Sequence, residues 1–584
     1  MKFTSSKYIT ILIGLAPILF FVYYVWQYTI NVPFLDDSLY YTKAVVDVEK
    51  SKSWSEAFWI FMRQHTITEH KTPISRFVAW LIYKTTGKLD FVLFSHLGNL
   101  ALFGMLGLFW TFFRKIKPKK INIAYFLPVP FLIFQMQTYE NQFWAICNWT
   151  YYPIGFLQML TFYFLSYQKP KYFLYAILAA IFVTFTFSNG MFVFLPAVLI
   201  LLFQKRYKAL IILVSVATIC LIVYFSNYTK SPIVPPSFSL VNILTGFVLM
   251  LGAYVDVQGF HQLSLFTTTL FGVIILGFLG YGGIWLLRKC FNLTPSPSPT
   301  EKGEFLCKNS PLSRRGVGGE VESDILFLVA SIMCLCMSAG AVAYSRYTGQ
   351  NGFEEMFTSR YRFISVTLLC LVYLFSLLIN KERYRQFILI LFLPLTIFLY
   401  GYSYYFLHEN NVNFRERLVA ATFNFKYHNS WVLYPFNNDW TIPVDTVNAE
   451  AIRKNIYELP VFPFTKFQDT INKDSVLKIS NLAFILEQKK DRFVLKNEML
   501  DVENPLKIEQ NIILKSNKNT YLLPLKRQRN KSRKDLILKG NYFWKGFETE
   551  ILKNTFIPDE YTIGLLKIQD GKYDIQYSNL KIKL

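Results

Sequence analysis

Charge is what this sequence has least of. Only 17% of its 584 residues are Asp, Glu, Lys or Arg, against roughly a quarter in ordinary soluble domains, while 53% are apolar. A soluble globule is excluded. Acid is scarcer than base, 38 residues against 61, yet the excess of +23 does not read as a nucleic-acid surface. Much of it sits in short clusters between hydrophobic runs: RKIKPKK (114–120), YQKPKY (167–172), QKRYK (204–208), RK (288–289) and NKERYR (380–385). Loops held on the cytoplasmic side of a membrane look like this. Cysteine is also sparse. Four of the seven (Cys220, Cys334, Cys336, Cys370) lie inside hydrophobic runs and none follows residue 411, which excludes a disulfide framework. Cys334 and Cys336, two apart, face different sides of a helix, so neither metal ligation nor redox chemistry is expected of them.

What is present is a series of apolar runs of about 20 residues, the length that crosses a hydrocarbon core roughly 30 Å thick. The first, Tyr8 to Ile30, has no small-residue cleavage site and reads as a retained anchor. Others follow near 91–113, 121–137, 151–168, 172–187, 190–204, 209–225, 264–287, 324–345, 361–379 and 387–406. Placing every basic cluster inside puts the N-terminus in the cytoplasm and both loop 31–90 and the C-terminal region outside. A full crossing by LVNILTGFVLMLGAYV (240–255) would put RK (288–289) on the wrong side, so this stretch is expected to be re-entrant. The fold class expected is mainly α: a polytopic bundle of about 11 spans plus one re-entrant segment, with a β-rich extracytoplasmic domain at the end.

Loop 31–90 carries its own structure. Ser53 and Glu56 match the S-x-x-E start signal of a helix, followed by Trp54, Ala57, Phe58 and Phe61 at helical spacing. Ile74, Phe77, Val78, Leu81 and Ile82 repeat the pattern after Pro73. Two amphipathic helices on the outer membrane face are expected. Residues 293–320 are dominated by Pro, Ser, Gly and charge; they read as a disordered cytoplasmic insertion. Domain 1–410 is thus membrane-bound, and 411–584 has soluble character, with alternating runs and an Asp570-Gly571 hairpin signal near its end. A small β-sandwich is expected there.

Polar groups at a bilayer are costly and mark function. On the outer side they are Asp36 and Asp37; His65, Glu69 and His70; Glu140, Asn141 and Trp144; and Arg346, Arg360 and Tyr361. One carboxylate of the pair can serve as general base, while the other orients it or holds a divalent cation through oxygen ligands; no other cofactor is implied. HTITEH lacks the H-E-x-x-H order of zinc proteases, and no metal site is assigned; a polar network around the aspartates suits these residues better. Arginine's planar fork suits a phosphate. Glu140, Asn141 and Trp144 form either an interfacial belt or a sugar platform.

FLDDSLYY (34–41), RQH (63–65) with EHK (69–71), YENQFW (139–144), FSNGMFVFLP (187–196) and TSRYR (358–362), in this order, resemble motifs of the multi-spanning C-type glycosyltransferases, in a poorly characterised bacterial branch. The resemblance covers roughly 1–410. It implies an integral membrane glycosyltransferase that moves a sugar from a polyprenyl-phosphate carrier to a hydroxyl of a glycan, lipid or protein at the outer face of the plasma membrane, with inversion. It also implies Asp36 or Asp37 as base, Asp36 being the first acid after the span, and Arg346 and Arg360 on the phosphate. Lys71 stands where related sequences tend to have arginine. Two other readings are a lipid or glycan transporter or flippase, and a non-catalytic glycan-binding scaffold.

Overall fold

The computed structural model describes residues 7–64, 70–116, 122–229, 239–257, 261–291, 318–346, 355–379, 382–433, 441–473, 478–480 and 482–584. Among them, seven helices are long and apolar enough to cross a membrane: Tyr8–Tyr28, Phe91–Lys115, Tyr207–Phe225, His261–Leu286, Asp324–Arg346, Ser359–Ile379 and Glu382–His428. This is the make-up of a multi-pass membrane protein. The remaining expected spans take other forms. Run 121–137 breaks into a 3-10 turn (Ile123–Phe126), a short helix (Pro128–Ile133) and a second 3-10 turn (Met136–Thr138), because Pro128 and Pro130 bring no N–H to a continuing helix. Ala145–Ser166 is continuous despite Pro153, whereas Pro170–Thr184 and Ser188–Phe203 are shorter apolar helices.

Helix Leu240–Gly252 has 13 residues, about 20 Å at 1.5 Å per residue, and is short of a full crossing. It packs against His261–Phe291 through two glycines. A Cβ on Gly252 would fall 1.9 Å from the Thr268 carbonyl oxygen, and one on Gly272 2.1 Å from that of Val248; only glycine lets the two backbones approach this closely.

The bundle has two chemically distinct ends. At one, Lys115 pairs with Asp324 at 3.2 Å and Tyr125 donates to Glu382 at 3.2 Å, beside the basic clusters at 114–116, 167–172 and 204–208. At the other, loop 31–90 gathers the opposite helix ends. Asn31 accepts from the Phe91 N–H at 2.8 Å, Lys71 donates to the Ser226 carbonyl, and Phe34 packs edge-on against Phe414 at 5.0 Å. The loop's helices form where their spacing placed them, at Trp54–Met62 and Pro73–Thr86. Ser53 caps the first, accepting from the Glu56 N–H. Trp54, Phe58, Phe77 and Leu81 remain exposed, an apolar face suited to an interface. Helix Gly318–Arg346 includes the last three residues of the 293–320 stretch, and 292–317 lie outside the described residues.

Helix Glu382–His428 runs unbroken for 47 residues, about 70 Å, so the change of composition at 411 falls inside a helix. Beyond it lie helix Thr441–Arg453 and two four-stranded antiparallel sheets, ordered β1-β2-β6-β5 and β4-β3-β7-β8. The strands are β1 Ile485–Gln488, β2 Arg492–Asn497, β3 Glu509–Lys515, β4 Thr520–Pro524, β5 Arg527–Arg529, β6 Phe543–Leu552, β7 Glu560–Gln569 and β8 Lys572–Lys583. Leu495, Phe547 and Ile551 from one sheet share a core with Ile512, Leu514 and Leu565 from the other. Ile513, Leu522 and Leu566, on the second sheet's other face, pack with Leu418, Ala421 and Phe425 of the long helix. Asp570 and Gly571, both at positive φ, form the tight β7–β8 turn, the geometry that Asp-Gly favours.

Two asparagines fasten the long helix to the sandwich. Asn424 donates to the Leu522 carbonyl and accepts from its N–H, at 2.8 and 2.9 Å. Asn413 does the same for Arg527 at 2.8 and 2.9 Å. Each mimics a strand backbone and closes a sheet edge that would otherwise be free to pair.

Candidate active site

The site begins with a strained turn after the first helix. Leu35 adopts φ 46°, a left-handed conformation that costs a leucine about 1–2 kcal/mol. Three hydrogen bonds hold it: Asp37 N–H to the Phe34 carbonyl and Ser38 N–H to that of Leu35, both 3.0 Å, and Phe34 N–H to Asp37 Oδ2, 3.0 Å. Asn448 adds a 2.8 Å donation to Ser38 Oγ. Immediately after the turn comes a π-helical stretch, Ser38–Thr42, a geometry common near functional sites.

The turn sends the two aspartates to different places. Asp37 is 2% exposed, and its Oδ1 accepts from the Ile146 N–H at 2.8 Å, so it caps the positive end of helix Ala145–Ser166. Burial pushes its carboxyl up to about 8, against the opposing pull of its backbone hydrogen bonds. Each Asp37 oxygen thus accepts a backbone N–H. Among the described residues no group of three or more His, Cys, Asp or Glu clusters as metal ligands do. Asp36 is half-buried. Burial raises its carboxyl to about 6, and the nearby guanidiniums of Arg360 and Arg346 act to lower it.

Arg360 is positioned by the YENQFW segment. Glu140 Oε2 accepts from Ser359 Oγ at 2.7 Å and from the Arg360 N–H at 3.1 Å, and its other oxygen lies 3.9 Å from the guanidinium. Asn141 donates to the Arg360 carbonyl at 3.0 Å. The guanidinium lies over Trp144 at 5.8 Å and Tyr361 at 5.2 Å. Trp144 donates to the Phe34 carbonyl at 3.2 Å and meets the Phe34 ring edge-on. Asn141 and Trp144 are buried and hold Arg360 and the aspartate turn through these contacts.

His70 accompanies this cluster. Its Nδ1 sits 2.9 Å from Ser188 Oγ, its ring packs on Phe187, and burial together with the Arg346 charge holds its imidazole at about 4, hence neutral. His65 and Glu69 lie outside the described residues. Arg346 ends its helix exposed. The structure therefore draws together Asp36, His70, Glu140, Asn141, Trp144, Arg346, Arg360 and Tyr361.

Sequence reasoning missed several supporting residues. Ser188 and Ser359 lie inside FSNGMFVFLP and TSRYR, where nothing in the local pattern marks a serine for a role. Arg76 is buried, donating to the carbonyls of Tyr40 and Phe61 at 3.1 Å each; the apolar spacing of Ile74, Phe77, Val78, Leu81 and Ile82 puts it on the opposite face of the helix, so periodicity carried no signal for it. Arg362 donates to Gln137 at 2.8 Å and pairs with Asp256, both buried, tying the end of the 240–255 segment to the site's floor. Beside Lys71, whose N–H donates to the Tyr224 hydroxyl at 3.2 Å, opens an apolar groove of about 490 Å³ lined by Phe58, Met62, Ile74, Phe185, Ile219 and Val223, among others.

No protein-family model, curated protein or solved structure matches the chain.

Proposed function

We propose that the protein is an integral membrane glycosyltransferase that takes a sugar from a polyprenyl-phosphate carrier and transfers it, with inversion, to an acceptor hydroxyl at the outer face. The observation that carries this reading is Asp36: a half-buried carboxylate on which the guanidiniums of Arg360 and Arg346 act, on a turn strained into place. Asp36 accepts the proton of the acceptor hydroxyl as that oxygen attacks the anomeric carbon. The bond from that carbon to the carrier phosphate breaks, and the leaving phosphate gains its second full charge facing Arg360 and Arg346, where low polarity strengthens the attraction. Asp37 does no chemistry and fixes where Asp36 stands. The groove beside Lys71 receives part of the carrier's isoprenoid chain.

In the same reading the shorter apolar helices complete about eleven crossings around the seven long ones, with the basic clusters in the cytoplasm and the sandwich outside. The test is transfer from a labelled polyprenyl-phosphate sugar by the purified protein in proteoliposomes, alongside lipid-linked sugar profiling of cells. Asp36→Asn is expected to reduce transfer about 10²–10⁴-fold while the protein stays folded, and to accumulate carrier in cells. Full activity in that variant overturns the assignment.

A further inference from the structure

We propose that the 529–545 edge of the sandwich is a second membrane contact, seated on the anionic lipid headgroups of the leaflet that bounds the candidate site. This goes beyond the transferase reading and does not depend on it.

The height of this edge is fixed by the long helix. Tyr542 donates its hydroxyl to the Tyr405 carbonyl at 2.6 Å and accepts from the Glu409 N–H at 3.2 Å. Arg529 lies over the rings of Phe406 at 4.0 Å and Tyr405 at 5.0 Å. Tyr402, Tyr404, Tyr405 and Phe406 close the apolar run 387–406, and such an aromatic belt marks the headgroup level. The edge is thus pinned where the hydrocarbon ends.

Its surface has the composition of an interfacial segment. Leu538 is 72% exposed and Trp544 44%, on and beside the short helix Arg533–Lys539. Lys531, Lys534, Lys539 and Lys545 are exposed around them. Lys539 meets Asp535 at 2.8 Å and Lys545 meets Asp501 at 3.2 Å, but both lysines stay largely in solvent, where such pairs hold little. Lysines at this height are drawn to an anionic leaflet, and the exposed Leu538 and Trp544 give the contact an apolar component.

The opposite end of the sandwich supplies a control. The β3–β4 turn is held by His428, 2.8 Å from the Thr520 carbonyl, about 28 Å along the helix from Glu409. Single cysteines replacing Leu538 and Asn517 would carry an environment-sensitive fluorophore in the full-length protein, in nanodiscs of anionic phosphatidylglycerol or zwitterionic phosphatidylcholine containing headgroup-level spin-labelled lipid. Protein without the added cysteine gives the background from native thiols. Quenching is expected at 538 and not at 517, stronger in anionic discs, and lost in high salt or when the four lysines become Gln. Absence of quenching at 538, or equal quenching at both positions, overturns the contact. Quenching at 538 that is indifferent to lipid charge and to the lysines overturns the anionic-lipid assignment.

Discussion

Segments 34–37 and 359–362 each hold two like charges within three residues, and each buries one while leaving the other at the site. Asp37 and Arg362 are buried; Asp36 and Arg360 are less buried, and the guanidinium acts on the carboxylate. The difference lies in what meets the buried charge. Asp37 is met by backbone N–H groups of Phe34 and Ile146, so its neighbours are dipoles that exist whatever the side chain. Arg362 is met by a full opposite charge, Asp256, which itself has no water to return to. A buried charge met by dipoles can relax by taking up a proton, whereas one met by a counter-charge leaves an uncompensated ion when removed.

The largest loss is therefore expected at Arg362. Arg362→Ala leaves Asp256 buried beside Ser264 and is expected to cost about 3–5 kcal/mol, read as a drop in thermal or denaturant midpoint in detergent. Double replacement of Arg362 and Asp256 by apolar residues of similar size should recover much of that loss. If the single and double variants are equally damaged, the two buried charges differ less than their partners imply.

Asp37→Ala is expected to cost less, about 2–4 kcal/mol, from a lost helix cap and a buried donor left unsatisfied. It also carries a pH signature that Arg362 lacks. The Asp37 carboxyl lies near 8 in the fold against an ordinary 3.8, so between these values the folded state holds a proton that the unfolded chain has released. The contribution of Asp37 to stability then falls as pH rises from about 4 to about 8. Asp37→Ala should flatten that slope, which pH-dependent unfolding of wild type and variant would reveal.

Which of two adjacent acids is structural could not be read from FLDD. The donor that claims Asp37 comes from Ile146, over a hundred residues away, and the turn that separates the pair depends on Leu35 entering a left-handed conformation for which leucine gives no signal. What periodicity and local chemistry control was legible: the two helices of loop 31–90, the apolar spans, the Asp-Gly hairpin. The break in 121–137 was visible in Pro128 and Pro130. The passage of the long helix through 411 was visible as well, since no Gly or Pro occurs between Gly401 and His428; composition changes there, while helical propensity does not. Convergence of the YENQFW and TSRYR segments on Arg360 rests on tertiary hydrogen bonds among Glu140, Asn141 and Ser359, which no local pattern encodes.

The smallest effect sharpens the other half of the comparison, the two charges left at the site. In the proposed transfer Asp36 must be ionised to accept a proton, and burial holds its carboxyl near 6 while Arg360 and Arg346 act to lower it. Transfer should rise with pH on an acidic limb with a midpoint near 6. Arg360→Gln removes one of the charges that favour the carboxylate, so the midpoint should move upward, separately from any loss of phosphate stabilisation, which lowers the plateau. Asp37→Ala, by contrast, keeps both arginines and should reduce the amount of folded protein without the upward midpoint shift that the loss of an arginine brings. A pH–rate profile of kcat/KM for the wild type, Arg360→Gln and Asp37→Ala distinguishes these effects. An Arg360→Gln midpoint that stays put or moves to lower pH would show that Asp36 is not the group that titrates, and that the division of each like-charged pair into structural and chemical members fails at the site itself.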